Sequence, residues 1–174
     1  MVIVVEGIDR VGKTTLCKRL STRTGYKILK KEREFVSGID KNQDAYINYG
    51  NAMGIAQLVN NGLADNFIID RFNWTEAVYG YIDRKNISSF YLMDKVGTVI
   101  RSVKDKWIFV YVEPTDLKMS SIQHGSDLKS HLIMYEDIVM KSYLQHLLKC
   151  NYNTIDKCVD EVIEIIKGEW KNER

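Results

Sequence analysis

An apolar run, Val2-Ile3-Val4-Val5, leads through Glu6 into Gly7-Ile8-Asp9-Arg10-Val11-Gly12-Lys13-Thr14. This segment fits G-x-x-x-x-G-K-[ST], with a helical pattern opening at Lys13, and its residue types share one chemistry. Gly7 and Gly12 permit a tight turn whose successive backbone N–H groups wrap a phosphate, reinforced by the amides and dipole of the following helix. Lys13 reaches the outer phosphates, and the Thr14 hydroxyl ligates the Mg2+ that accompanies a nucleoside triphosphate. Strand, loop and helix in immediate succession make this a P-loop rather than a chance turn carrying two glycines.

A second constellation lies at Phe67-Ile68-Ile69-Asp70-Arg71. An apolar strand ending in Asp resembles the metal-side strand of many P-loop ATPases, but here a cation follows directly. That arrangement suits a second bound anion better than a positioned hydrolytic water, and it points to a kinase acting on something already phosphorylated. A guanine-reading N-K-x-D segment, usual in GTPase switches, does not occur in the chain.

Both constellations need elements to hold them. Val2 to Val5, Phe67 to Ile69 and Trp107 to Val112 are dense in β-branched and aromatic residues with little polar alternation, as in strands buried on both faces of a parallel sheet. Tyr26 to Leu29 and Tyr152 to Ile155 are weaker strand candidates. Helical periodicity marks Lys13 to Thr22, Gln43 to Asn61 with a stop at Gly62, Ser89 to Val103, His131 to Leu148 and Lys157 to Lys167. Strand alternating with helix predicts an α/β chain: a three-layer α/β/α P-loop NTPase fold with about five parallel strands, ligands at their carboxyl ends, and one domain over 1–174.

Composition narrows the classes further. The chain has 174 residues, 45% of them hydrophobic, with three cysteines lacking C-x-x-C spacing. Neither a disulfide framework nor a zinc site is expected, and a cytoplasmic location follows. No apolar run approaches the roughly 20 residues of a membrane span, and no charged segment precedes the first one as in a signal peptide. The net charge of +2 gives no reason to expect a stable nucleic-acid partner. Residues 1–35 nevertheless hold nine Lys/Arg against four Asp/Glu. Positive charge thus gathers around the P-loop.

Val5-Glu6-Gly7-Ile8-Asp9-Arg10-Val11-Gly12-Lys13-Thr14-Thr15 resembles the opening of thymidylate kinases, whose P-loop reads E-G-x-D-x-x-G-K-[ST]-T. Ile69-Asp70-Arg71-Phe72, with Thr75, Ala77, Val78 and Tyr79, is similar to that family's D-R-[YF]-x-x-S-x-x-A-Y segment. The resemblance implies ATP as donor, bound by Gly7, Arg10, Val11, Gly12, Lys13, Thr14 and Thr15, with Mg2+ on Thr14. It implies a deoxynucleoside monophosphate as acceptor, contacted by Asp9, Arg33, Asp70, Arg71, Thr75 and Tyr79. Asp9, Arg10 and Lys13 would be catalytic. The family places a catalytic arginine either within the P-loop or in a lid; the lid segment here, about 119–130, has His124 and Lys129 but no arginine, so Arg10 resembles the P-loop type. The family is commonly homodimeric.

The sequence also departs from the family. Its acceptor helix carries an aromatic residue and an arginine that recognise thymine, whereas 43–61 here contains no Lys or Arg. Tyr46 and Tyr49 are present for stacking, and Asn48 lies near the place of the missing arginine. The only proline, Pro114, follows the third strong strand rather than the second. The resemblance therefore implies transfer of the ATP γ-phosphoryl group to dTMP. Another dNMP, a deoxynucleoside, a polynucleotide 5′ end, or nucleotide binding without turnover stay open. His124, His131 and His146 have no ligand spacing and are expected on the surface or in packing. Cys17 is expected in the core, and Tyr135-Glu136-Asp137 at the opening of a helix.

Overall fold

The structure, a computed structural model, describes residues 1–30, 40–83, 85–115, 128–142 and 144–168. The elements run β1 (Val2–Glu6), α1 (Lys13–Thr24), β2 (Lys27–Lys30), α2 (Lys41–Asn60), β3 (Phe67–Asp70), α3 (Asn73–Ile82), α4 (Ile87–Ser102), β4 (Trp107–Glu113), α5 (Leu128–Lys141), β5 (His146–Asn151) and α6 (Ile155–Lys167). Short 3-10 turns precede β4 and α6.

The five strands form one parallel sheet in the order β2-β3-β1-β4-β5. Val2 faces Phe67 on one side and Trp107 on the other, so β1 is the central strand. Its residues are fully buried, which is why its sequence shows no polar alternation. Helices α1 and α6 pack together, as do α2, α3, α4 and α5, giving a three-layer α/β/α architecture. Because the chain after β3 crosses to the far side of β1 to form β4, the carboxyl ends of these three strands meet around one crevice.

Aromatic side chains fix the α3 side of the sheet. Phe72 stacks on Trp107 at 6.0 Å, and Trp74 lies 4.8 Å from Phe109. Trp107 Nε1 donates to Asn60 Oδ1 at 3.0 Å, tying β4 to the end of α2. Lys106 Nζ donates to the Val59 and Asn60 carbonyls, capping α2 with the positive charge its C-terminus favours. Gly62, just past that helix, adopts φ 72 as a helix stop requires.

Several boundaries differ from those the sequence suggests. The helix expected over His131 to Leu148 ends at Lys141, and His146–Asn151 is the edge strand β5. Leu144, Leu147 and Leu148 satisfy helical spacing, but buried Leu148 and Cys150 flank exposed Lys149 in strand alternation. Tyr152–Thr154, read as a strand, is a 3-10 turn held by a reciprocal Asn151–Thr154 capping box. Tyr135 lies inside α5, fully buried, rather than at a helix opening. Helix α3 has no counterpart among the expected helices, because nine of its ten residues are buried and leave no polar stripe. Of the expected lid, 119–127 lies outside the described residues, and 128–130 begins α5. Cys17, Cys150 and Cys158 are buried and form no disulfide among the described residues. No helix among the described residues is long and apolar enough to cross a membrane.

Candidate active site

The P-loop spans the tip of β1 and the start of α1, as its sequence requires. Gly7 has φ 140, and a Cβ there would lie 2.5 Å from the Val112 carbonyl oxygen. Only glycine lets β4 close onto the loop at this point. Gly12 caps α1 at φ 101. The first helical hydrogen bond runs from Leu16 N to the Gly12 carbonyl, so the amides of Lys13, Thr14 and Thr15 are left at the helix N-terminus for an anion. Val11 is buried beneath the loop.

Lys13 is 4% exposed, and its ammonium donates to the Ile8 carbonyl inside the loop. Burial, reinforced by the nearby Arg71 charge, pulls its pKa down to about 8; the carboxylates of Asp9, Asp70 and Glu6 oppose this. Arg71, at the tip of β3, is ion-paired with Asp9 of the loop. Its backbone takes φ 71, and its N–H donates to the Val5 carbonyl at 3.0 Å. Arg10 is exposed at φ 64. Two non-glycine residues in left-handed conformation, both arginines beside a phosphate cradle, mark strain held at a site.

Thr14 Oγ1 lies 3.4 Å from Asp70 Oδ2, while Asp70 Oδ1 is buried without a hydrogen-bond partner. A hydroxyl and an under-satisfied carboxylate are hard oxygen donors that fit Mg2+. Among the described residues no cluster of three His, Cys, Asp or Glu offers a complete protein cage. The remaining ligands of such a magnesium would be phosphate oxygens and water, as is usual for this ion.

Behind Arg71 sits a residue to which the sequence reading assigned no role. Glu6 is fully buried and accepts hydrogen bonds from the backbone N–H groups of Phe72 (2.9 Å), Trp74 (3.0 Å) and Thr75 (3.1 Å), and from the Thr75 hydroxyl. Since Thr75 Oγ1 donates to Glu6, Tyr135 OH donates to Thr75 Oγ1, 2.9 Å away. Burial raises the Glu6 carboxyl above its ordinary range, and the four donors oppose that shift. Its sequence signals were a charge ending an apolar strand and the leading Glu of the resembled P-loop pattern, neither of which names its partners.

The other expected acceptor residues are distributed as follows. Tyr79 is buried on α3, its phenol pushed up by burial and by the charge of Asp9. Thr75 is buried with its hydroxyl facing Glu6 and Tyr135. Tyr46 is exposed and Asn48 and Tyr49 are half-buried on α2. Arg33 lies outside the described residues. Beside the P-loop the sequence reading missed Tyr152, which is 57% exposed and borders Gly12 closely enough that a Cβ there would lie 3.0 Å from Tyr152 Cδ2.

The three-layer α/β/α fold is shared with solved structures of P-loop kinases. Among solved structures the chain is similar to YorR of Bacillus subtilis, determined in complex with phosphorylated GDP, with TM-score 0.69 and 22% identity over 97% of both chains. It is also similar to thymidylate kinases from Ehrlichia chaffeensis (TM-score 0.56, 20% identity, 95% of this chain and 98% of that one) and Candida albicans (0.56, 16%, 96% and 91%). No family model and no curated protein sequence matches the chain.

Proposed function

We propose that this chain is an ATP-dependent nucleoside monophosphate kinase that transfers the γ-phosphoryl group of ATP to a deoxynucleoside 5′-monophosphate, dTMP first. The observation that carries the reading is the Asp9–Arg71 pair beside Lys13. A second guanidinium-lined anion site next to a P-loop has a use when a second phosphate must meet the first.

In this reading the loop amides from Gly7 to Thr15 and Lys13 hold the donor phosphates. Thr14 and Asp70 would hold Mg2+, which when bound would supply charge neutralisation at the outer phosphates. An oxygen of the acceptor phosphate attacks the γ-phosphorus, the bond to the β–γ bridging oxygen breaks, and ADP leaves. The attacking phosphate oxygen is already ionised near neutral pH, so no general base is needed and catalysis consists of positioning and charge stabilisation. Arg10 lies at the loop tip, where a guanidinium can stabilise charge on the transferring group. Arg71 and Arg33 bind the acceptor phosphate, whose planar recognition favours arginine over lysine. Asp9 orients Arg71 and contacts the acceptor sugar, near Tyr79. Tyr46, Tyr49 and Asn48 supply stacking and amide recognition of the acceptor base, and Tyr152 offers a ring for the donor base. A cytoplasmic homodimer, its state readable by sedimentation, completes the reading.

A second acceptor class has support of its own. Asn48 lies near the place where the resembled family carries a thymine-reading arginine, and the similar Bacillus subtilis protein was determined with phosphorylated GDP. A guanine monophosphate is therefore the alternative acceptor. A coupled ADP-release assay over all NMPs, dNMPs and thymidine decides. ADP formation with dTMP far above the others supports the first reading, and a guanine preference replaces it. No acceptor-dependent ADP at all removes the kinase assignment.

A further inference from the structure

Glu6 belongs to neither phosphate site, yet it touches the backbone of the segment that carries one. Helix α3 starts at Asn73 with Phe72 as its N-cap, and the Phe72 side chain makes no capping hydrogen bond. The exposed amides of such a helix start need acceptors. Glu6 supplies them from the end of a different element: Oε1 takes the N–H groups of Phe72 and Trp74, and Oε2 takes both the N–H and the hydroxyl of Thr75. Negative charge there also suits the helix dipole. The residue preceding this clamp is Arg71, itself in left-handed conformation and bonded through its N–H to Val5, the neighbour of Glu6.

We infer that Glu6 is a positioning residue for the acceptor phosphate: it fixes the Arg71–Phe72 junction relative to the P-loop and so sets where the Arg71 guanidinium stands. This rests on the kinase reading above and assigns to it a residue that would touch neither substrate. The donor side depends on Gly7 to Thr15, which Glu6 does not hydrogen-bond. Loss of the clamp must therefore fall unequally on the two substrates. Tyr135, through Thr75, is the outer brace of the same clamp. Tyr135→Phe removes that brace while leaving the four bonds to Glu6 in place.

The test is steady-state kinetics of Glu6→Gln and Tyr135→Phe against wild type, with dTMP and dGMP each as acceptor and ATP as donor. Alongside it, the 15N–1H guanidinium resonance of Arg71 is followed, assigned by its loss in Arg71→Lys. Glu6→Gln is expected to raise the acceptor KM about tenfold or more, leave the ATP KM within about twofold and shift the Arg71 resonance, with Tyr135→Phe giving a smaller change in the same direction. Equal rises in both KM values, or an unchanged acceptor KM, overturn the inference. If the wild type forms no acceptor-dependent ADP, the kinase reading fails separately. The Arg71 resonance then decides the positioning role alone, and an unmoved signal in Glu6→Gln overturns it. Should Glu6→Gln not fold, Tyr135→Phe carries the same comparison.

Discussion

Arg71 at the tip of β3 is ion-paired with Asp9 in the P-loop, 62 residues earlier in the chain. The pair joins the two strand ends at which donor and acceptor phosphates would meet. Charged hydrogen bonds of this kind contribute about 1.5–3 kcal/mol, so Arg71→Ala is expected to raise the acceptor KM roughly 10- to 150-fold. Arg71→Lys should recover little, because an ammonium lacks the planar fork. Acceptor titrations at fixed ATP measure both, and wild-type acceptor affinity in Arg71→Ala would remove Arg71 from the site.

Arg10 should behave differently. Its exposed position at the loop tip gives it a task only when charge redistributes, so Arg10→Ala is expected to lower kcat by about 100-fold or more while nucleotide affinity changes only a few-fold. Turnover near wild type would exclude the catalytic role.

Tyr152 makes a separate donor-side prediction. If its exposed ring carries the donor base, Tyr152→Ala should raise the ATP KM roughly fivefold or more, given about 1–3 kcal/mol for base–aromatic stacking, and leave the acceptor KM unchanged. The same kinetic series reads both values.

Lys13 ties nucleotide binding to pH. Its pKa is lowered from 10.5 to about 8 by burial and by Arg71. Bound phosphates stabilise the ammonium and raise the pKa again, so ATP binding at a pH of about 8.5 should take up protons, whereas at about 6.5 Lys13 is already charged. Calorimetry in two buffers of different ionisation enthalpy measures the uptake. The sign for stability follows from the same shift. The unfolded chain binds the proton more tightly, so the penalty for the buried charge is full below pH 8 and is relieved as pH climbs toward 10.5. Stability relative to Lys13→Met should rise across that window in denaturant titrations.

The glycines of the site separate space from conformation. Gly7→Ala meets both a left-handed φ and the Val112 carbonyl at 2.5 Å. A loss of about 3 kcal/mol, or roughly 6–12 °C in Tm, is expected. Gly25→Ala, at φ 74 with nothing within 4 Å, should cost only about 1 kcal/mol for the left-handed backbone. Thermal unfolding distinguishes them, and equal losses would show that the Val112 contact does not matter.

What the sequence reveals here depends on how far apart the partners are. β1, β3 and β4 are legible because strands buried on both faces must be continuous apolar runs, and the P-loop is legible because its groups are consecutive residues. β5 is harder: as an edge strand it alternates, and its leucines also fit a helix. α3 is enclosed on nearly every side and shows no helical stripe. The role of Glu6 is invisible for another reason, since all four of its donors lie at Phe72 to Thr75, far along the chain. Tyr152 meets Gly12 across about twice that separation. Local chemistry announces itself, whereas long-range bracing of that chemistry does not.

The central place of β1 also has a bearing on how the molecule comes into being. β1 has neighbours at Phe67–Asp70 and Trp107–Tyr111, and the P-loop glycine rests against Val112. Contacts so distant close large chain loops and form late. The phosphate cradle therefore stays unbuilt until β4 has joined the sheet, so a phosphate ligand at this loop can stabilise only chains that extend past Val112.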